Sequence, residues 1–294
     1  MEIYTPGTLL ELQELRKKLN WENKPAAYLA GGTDLILQLR SSDIKPEILV
    51  CLHRLDELKG IDEENEIINI GAMTTFSQLA TSKLIEERIS VLGRAAASSA
   101  APQVRNQGTI GGNIANGSPA ADLVPPLLVL DSELEVLTDK GVQVFPLPDI
   151  LKGVGETHLR PLDLIQRIKI KRNTGRGTFV KLGLRNSLVI ARISLAMYVE
   201  EDSGGLIEHC ALSLGAIAPT AIRAGKAEEI MRGKRPSLSL FAKVTEKIVE
   251  ITTFYLGQRS SAPFKKEAIK GVMAEAFYKL YPELMEEGDF HEIV

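Results

Sequence analysis

The segment from Gln107 to Pro119 restricts the fold more than any other part of this chain, because it holds four glycines and two asparagines. Glycine weakens the interior of helices and strands, and clusters of glycine and asparagine are typical of irregular chain. An alanine-rich stretch from Leu84 to Ala101 favours a helix before it, and Pro102 is expected to end that helix. The pattern predicts an ordered, convoluted loop between regular elements.

Within this segment, the run from Gly108 to Asn113 (GTIGGN) could form a backbone cradle for phosphate, with Thr109 and Asn113 as side-chain donors. It does not match the GxGxxG fingerprint and follows a predicted helix, which excludes a Rossmann turn. It also lacks the lysine of a P-loop. A structural loop without a ligand is the alternative.

A second glycine turn lies at Ala30 to Leu35 (AGGTDL), where the short apolar run Ala26 to Ala30 meets a predicted helix start. Glycines let a backbone approach a ligand closely, and helix N-terminal amides favour an anion such as phosphate. A tight strand–helix turn with no ligand is an equally good interpretation of this segment alone. Two phosphate-type turns in one chain suit a dinucleotide better than a mononucleotide.

Composition and motifs exclude several classes of protein. The net charge of -3 gives no general attraction to nucleic acid or acidic membranes. The chain has no HExxH or GxSxG motif, its four histidines show no ligand spacing, and two cysteines cannot supply an iron–sulfur cluster. Cys51 and Cys210 each lie in an apolar run, which favours two buried, reduced thiols. No signal peptide or bilayer-spanning run is apparent, so we expect a cytoplasmic protein without a membrane partner.

The character of the chain changes after a linker predicted at Asn173 to Gly177. Three antiparallel strands are expected there, and two amphipathic helices follow, with apolar stripes that predict core packing. The strands are expected at Phe179 to Leu182, Ile193 to Val199 and Ile207 to Leu214. Before the linker, a hairpin is expected around Thr138 to Gly141 and a strand at Ile165 to Ile170.

Five segments, taken together, resemble one known family. AGGTDL (30–35) and QVRNQGTIGGNIANGSPAADLVPPLLVLD (103–131) are similar to the FAD-binding subunit of the xanthine dehydrogenase and carbon monoxide dehydrogenase family of molybdenum hydroxylases. INIGAMTTFSQL (68–79), FVKLGLRNSLVIARISLAM (179–197) and SAPFKKEAIKGVMAEAF (261–277) continue the resemblance in order. GTIGGN followed by SPAAD is highly specific, whereas AGGTD alone is a weak signal.

The resemblance implies an α+β fold. A two-subdomain, PCMH-like FAD-binding region would occupy residues 1–173, with subdomains of about 1–56 and 57–173. A smaller domain of antiparallel strands and helices, like the C-terminal domain of carbon monoxide dehydrogenase flavoproteins, would occupy 178–284. The expected cofactor is FAD, held noncovalently because no His or Cys falls within the motifs.

The resemblance also implies site residues, none of them catalytic or metal-binding. Asp122 would accept hydrogen bonds from a sugar hydroxyl, Leu164 would pack near the flavin or adenine, and Lys181 would lie beside the isoalloxazine ring. The FAD pyrophosphate and ribitol would be held by two groups of residues: Ala30, Gly31, Gly32, Thr33, Asp34 and Leu35, and Thr109, Gly111, Gly112 and Asn113.

The implied function is electron transfer within a complex. A molybdopterin-binding large subunit would hydroxylate an organic substrate, a [2Fe–2S] small subunit would carry the electrons, and this FAD would pass them to NAD or another acceptor. Phe179 stands where relatives often carry Tyr, so a hydroxyl role there is absent. The alternatives are a stand-alone FAD-binding protein and an FAD oxidoreductase of the vanillyl-alcohol-oxidase type, which would need catalytic side chains in a substrate domain.

Overall fold

A computed structural model describes residues 1–19, 24–41, 44–172, 174–183 and 191–284 of the chain. The first unit is a small parallel sheet of three strands in the order β1-β3-β2, with one helix after each of the first two strands. Its elements are β1 (Glu2–Tyr4), α1 (Leu9–Leu19), β2 (Ala26–Leu29), α2 (Leu35–Ser41) and β3 (Ile48–Cys51). Its buried residues include Leu12, Ile48 and Val50, and Leu164 from the second unit joins the same cluster.

The second unit is an antiparallel sheet of five strands in the order β4-β5-β10-β6-β7. The strands are β4 (Ile61–Glu64), β5 (Ile67–Gly71), β6 (Glu133–Thr138), β7 (Gly141–Pro146) and β10 (Leu164–Lys171). Six short helices connect β5 to β6: α3 (Phe76–Thr81), α4 (Lys83–Arg88), α5 (Ser90–Ser98), α6 (Pro102–Arg105), α7 (Ile110–Ala115) and α8 (Val124–Val129). Between β7 and β10 lie α9 (Leu147–Ile150) and a small hairpin of β8 (Leu151–Gly153) and β9 (Glu156–Thr157).

The third unit is an antiparallel sheet of four strands in sequence order, β11-β12-β13-β14, followed by three helices. Its elements are β11 (Arg176–Leu182), β12 (Ile193–Glu201), β13 (Ile207–Gly215), β14 (Ile222–Arg223), α10 (Gly225–Met231), α11 (Leu238–Leu256) and α12 (Ala262–Leu280). The three strands expected from the sequence are therefore present, and β14 extends the sheet.

The strand β12 explains how the third unit joins the second. Side chains alternate between the two faces of a strand. Ala196 and Tyr198 pack into the core of the second unit, whereas Leu195 and Met197 pack against the C-terminal helices. Both faces of this sheet are therefore buried, and the sheet lies as a layer between the second unit and α11 and α12.

The glycine-rich segment differs from its prediction as a loop. Residues Ile110–Ala115 form α7, because Thr109 caps the helix by accepting a hydrogen bond from Gly112 N at 3.1 Å. Glycine is needed in this helix for close packing: a Cβ on Gly111 would lie 2.7 Å from Ala72 Cβ. The alanine-rich stretch before it forms two helices, α4 and α5, where one helix was expected. Pro102 begins α6 and does not end a helix.

The cysteines and helices allow two further comparisons with the sequence. Both cysteines are free thiols, and Cys210 is buried as expected, whereas Cys51 is partly exposed at the end of β3. Within the described ranges, no helix has the length and apolar character that crossing a bilayer requires.

Candidate functional site

A cavity of about 690 Å³ lies between the first and second units. Its walls come from the β2–α2 turn, from α6 and α7 with the chain that follows them, and from the tip of the β8–β9 hairpin. This volume falls in the range of pockets that enclose a small molecule or cofactor, roughly 300–1,000 Å³. The lining residues predicted from the sequence are Ala30, Gly31, Gly32, Thr33, Asp34, Leu35, Thr109, Gly112, Asn113 and Asp122.

The β2–α2 turn forms one wall through its backbone. Gly32 adopts a φ of +73°, a left-handed conformation that favours glycine. The N–H groups from Gly31 to Asp34 make no hydrogen bond to an acceptor among the described residues. Consecutive unpaired amides along a cavity wall can receive the oxygens of an anionic ligand.

The opposite wall does not offer such a backbone cradle, and here the expectation for the GTIGGN run is wrong. The N–H groups of Ile110, Gly111, Gly112 and Asn113 all have acceptors inside the protein, namely Thr74 O, Ala72 O, Thr109 Oγ1 and Thr109 O. Hydrogen bonds to the helix cap and to the chain that follows β5 therefore occupy these N–H groups. A ligand would meet side chains here: the Thr109 hydroxyl, and Asn113, whose Oδ1 accepts from Leu123 N at 3.3 Å.

Gly31 brings the two walls into contact. A Cβ at this position would lie 1.8 Å from Gln107 O and 2.6 Å from the Gln107 carbonyl carbon. Because backbone atoms cannot give way by that distance, only glycine fits where the first unit meets the second. Gly112 also faces the first unit: a Cβ built on it would be in van der Waals contact with Ala30 Cβ, at 3.8 Å.

Asp122 and Lys181 form an ion pair at the cavity, with Lys181 Nζ 2.7 Å from Asp122 Oδ2. Their side chains are only 12% and 10% exposed, respectively. Burial raises the pKa of the Asp122 carboxyl above its ordinary value, against the lowering effects of Lys181 and the nearby Ser99. The second carboxyl oxygen, Oδ1, is buried and has no hydrogen-bond partner among the described residues. Asp122 is thus a lining residue of the cavity with one buried acceptor that lacks a partner among the described residues.

Three of the predicted site residues do not line the cavity. Gly111 packs against Ala72, and Leu164 is buried in the hydrophobic cluster of the first unit. Lys181 reaches the site only through Asp122. The geometry gives no support to direct ligand contacts by these three, which stay predictions.

The cavity also has lining residues that the sequence did not reveal. Arg105 is the one cationic side chain among the described residues that line the cavity, and its Nη1 donates to Ser99 O and Ala100 O at 3.2 and 2.8 Å. Val154, at the tip of the β8–β9 hairpin, lines the mouth while remaining 68% exposed. Gly155 N fixes this tip by donating to Gly117 O at 2.9 Å. Arg105 lies in the QVRN part of the family motif, so the motif could have indicated it as a site residue. Val154 lies in no motif, and nothing in the sequence indicates that it lines a cavity.

Two families of protein domains together match most of this chain. Residues 1–171 match the family described as the FAD binding domain in molybdopterin dehydrogenase. Residues 179–280 match the family described as the CO dehydrogenase flavoprotein C-terminal domain.

Similar curated proteins and solved structures agree with these matches. The chain is 30% identical to the nicotinate dehydrogenase FAD-subunit of Eubacterium barkeri, over 99% of both chains. It is 32% identical to the xanthine dehydrogenase FAD-binding subunit of Escherichia coli O157:H7, over 87% of this chain and 90% of that one. A structure of carbon monoxide dehydrogenase from Hydrogenophaga pseudoflava superposes with a TM-score of 0.87 at 27% identity, covering 96% of this chain and 97% of that chain.

Proposed function

Since this chain belongs to the family of FAD-binding subunits of molybdopterin dehydrogenases, we propose that it holds one FAD in the central cavity and serves electron transfer within a larger oxidoreductase. The observation that supports the proposal is the pairing of two features of one cavity: the unpartnered Oδ1 of Asp122, a lining residue, and the unpaired backbone amides of the β2–α2 turn. A dinucleotide has hydroxyls that can donate to the Asp122 carboxylate and phosphate oxygens that can accept from the backbone amides.

The phosphates would lie at the β2–α2 turn. The N–H groups from Gly31 to Asp34 supply donors without a side chain in the way, and Arg105 supplies the positive charge that a pyrophosphate needs. A carboxylate would repel phosphate but accepts hydrogen bonds from hydroxyls, so Asp122 would bind a sugar or ribityl hydroxyl. Thr109 and Asn113 would add polar contacts from α7 and its cap.

FAD, when bound, exchanges electrons between a two-electron and a one-electron partner. The residues of this chain would bind the FAD, orient it and exclude water from it. The Asp122–Lys181 pair places a nearly neutral unit at the cavity wall, and the Val154 hairpin tip covers part of the mouth.

The other redox centres would lie on partner chains. Groups of acidic, His and Cys side chains that could hold a metal ion are absent from the described residues, and two cysteines are too few for a [2Fe–2S] cluster. We propose a molybdopterin-binding large subunit and a [2Fe–2S] small subunit as partners, and NAD or another acceptor as the destination of the electrons.

Purification of the native complex, with flavin, molybdenum and iron analysis, tests this function. We expect one FAD per copy of this chain, and molybdenum and iron in the same complex but not in the separately expressed chain. An expressed chain that folds but takes up no FAD would overturn the proposal. FAD uptake without any molybdenum- or iron-containing partner in the native preparation would restrict it to a stand-alone flavoprotein.

A further inference from the structure

The turn that follows β13 links the C-terminal helix α12 to the cavity wall. Ala216 N donates to Pro119 O at 2.9 Å, and Pro119 lines the cavity. On the other side of the same residue, Ala216 O accepts from Lys265 Nζ at 2.5 Å. One residue of the turn therefore connects Lys265, near the start of α12, with the chain at 118–122, most of which lines the cavity. We call residues 118–122 the wall segment.

Ala216 has a backbone conformation that depends on contacts from outside the turn. Its φ is +61°, in the left-handed region that alanine rarely adopts. Residues other than glycine keep such a conformation where the surrounding contacts hold it. Here the contacts are the two hydrogen bonds of Ala216 and a third, in which Arg259 Nη1 donates to Ile217 O at 3.4 Å. Because the Lys265 ammonium holds the carbonyl of Ala216 itself, its removal should let Ala216 relax and weaken the hydrogen bond to Pro119.

Close packing gives the turn a second path to the wall segment. A Cβ on Gly215, the residue before Ala216, would lie 2.3 Å from Ser194 Oγ and 3.0 Å from Pro125 Cγ. Pro125 lies in the first turn of α8, three residues after Asp122. Closely packed groups transmit small displacements. A shift of the turn should therefore reach the chain that carries Asp122 through contact as well as through the hydrogen bond.

The surroundings of Lys265 indicate that its contact with Ala216 is the main purpose of this side chain. Lys265 forms no ion pair with a carboxylate among the described residues. Burial, followed by the repulsion of Arg259 and Arg192, lowers its pKa. Within the same part of the chain, the carbonyl of Ala216 is the one acceptor that its ammonium reaches. The hydrogen bond to Ala216 therefore offsets an otherwise unfavourable position for a cation.

We propose that Lys265 is a positioning residue for FAD, which acts through Ala216 and Pro119 to hold the wall segment and the Asp122 carboxylate in place for a hydroxyl of the cofactor. The inference rests on the proposed function, since it concerns the same cavity. Lys265 is not among the described lining residues, so it acts on the affinity only through the turn. The affinity for FAD thus depends on a residue that lies outside the part of the chain matching the FAD-binding domain family.

FAD dissociation constants of full-length variants test this role. Lys265→Met removes the ammonium and keeps the apolar stem, and we expect it to raise the Kd about tenfold, as for the loss of one charge-assisted hydrogen bond. Lys265→Arg keeps a cationic donor and should restore an affinity close to that of the wild type. Lys266→Met is the matched control, because Lys266 is the next residue on α12 and makes no hydrogen bond or ion pair among the described residues. The control should change the Kd by less than about twofold.

Hydrogen exchange at Ala216 gives a second test, which needs no variant. Coupling between two sites is reciprocal, so a turn that helps FAD to bind must itself be stabilised when FAD is bound. We expect the Ala216 amide to exchange more slowly in the FAD-loaded wild-type protein than in the flavin-free protein. The Gly233 amide is the control, because it donates to Ile207 O at the opposite end of β13 and should show no such difference.

The outcomes separate this inference from the proposed function. An equal Kd in Lys265→Met and the wild type, even with a lower melting temperature, would show that Lys265 serves the fold alone and would overturn the positioning role while the flavin site stands. A loss of affinity that Lys265→Arg shares, or an Ala216 exchange rate that FAD leaves unchanged, would overturn it as well. A folded wild-type protein that takes up no FAD would overturn the proposed function, and this inference with it.

Discussion

Asp122 and Lys181 join the second and third units across the cavity wall, with 2.7 Å between Oδ2 and Nζ. The ammonium is committed to this carboxylate and does not line the cavity. We infer from this arrangement that Lys181 is the partner that favours the ionised form of Asp122, while its predicted place beside the flavin ring stays a prediction. The described lining residues all belong to the first and second units, and this ion pair connects one of them to the third unit.

Lys181→Met is expected to weaken the fold and the binding of FAD together. The change leaves a buried carboxylate without its partner, and breaking such a pair costs on the order of 3 kcal/mol. Because burial raises the pKa of Asp122 and the variant lacks the opposing effect of Lys181, we expect the carboxyl to take up a proton, so that the site stays nearly neutral and the flavin midpoint potential changes little. Thermal unfolding measures the stability of the fold, flavin titration measures the affinity for FAD, and spectroelectrochemistry measures the midpoint potential. Full stability restored by a second change, Asp122→Asn, would confirm the pair, whereas a large potential shift would place the ammonium beside the ring.

The affinity for FAD is expected to fall in acid. The pKa of Asp122 is raised by burial, so this carboxyl becomes protonated at a higher pH than an exposed aspartate. A hydroxyl ligand binds the ionised form, so the affinity should be full above the raised pKa and decline as pH falls through it. The same raised pKa favours the unliganded folded state at low pH, and this contribution to stability is lost as pH rises through the folded-state pKa. The test is to measure the dissociation constant of FAD across an acidic pH series. It should rise with acidity in the wild-type protein and stay constant in the control variant Asp122→Asn.

Gly111 and Gly112 are adjacent but should respond differently to substitution. A Cβ on Gly111 would meet Ala72 Cβ at 2.7 Å and Ala72 O at 2.8 Å, so Gly111→Ala should destabilise the fold by about 1–3 kcal/mol through overpacking. Gly112 faces the cavity, and its nearest obstacle is Thr109 Oγ1 at 2.9 Å. Gly112→Val should lose FAD while the apoprotein still folds. Full flavin occupancy in Gly112→Val would show that this position is structural only.

The sequence predicts local features of this protein well and long-range partners poorly. The AGGTDL turn, the hairpin around Thr138 to Gly141 and the strands of the third unit follow from apolar patterns and glycine positions and are confirmed. The family resemblance is confirmed as well, over both parts of the chain. The helix α7 was missed because the cap at Thr109 and the close packing at Gly111 outweigh the low helix propensity of glycine.

Site residues that depend on tertiary contacts could not be predicted in the same way. Asp122 and Lys181 are 59 positions apart, and no local pattern indicates that they pair. The resemblance implies that Leu164 packs near the flavin or adenine, yet its side chain is buried in the hydrophobic cluster of the first unit. The exposed face of the β8–β9 hairpin became part of a cavity wall only through its contact with Gly117.

Arg223→Met is expected to cost about 3–5 kcal/mol of unfolding free energy, because it strands a buried carboxylate. Arg223 binds both oxygens of Glu228, at 2.8 and 3.0 Å, and also reaches Asp131 and the carbonyl of Leu128 in the second unit. Chemical denaturation measures the loss. Lys247→Met removes an ion pair with Glu250 along α11 and should cost less than about 1 kcal/mol. Similar losses in both variants would contradict the assigned role of Arg223 as a link between units.

FAD is expected to leave the protein when the protein is denatured with acid. The lining residues of the cavity include no His or Cys among those described. Tyr28 has the only phenol on the wall, its hydroxyl donates to Leu162 O at 3.2 Å, and burial raises its pKa to about 12, so it stays protonated and unreactive. Flavin colour recovered in the supernatant after acid precipitation is the predicted result. Colour retained in the pellet would reveal a covalent bond.

The contact of Gly31 with Gln107 joins two cavity walls that are translated at different times. One cavity wall is translated first, the facing wall follows more than seventy residues later, and Lys181 follows the second wall by a similar interval. Because the described lining residues lie between Tyr28 and Gly155, a nascent chain carries both walls only after the β8–β9 hairpin has emerged, and the partner of Asp122 comes later still. We therefore expect cofactor loading to follow docking of the first unit on the second, and truncations that end before Gln107 to accumulate as colourless protein.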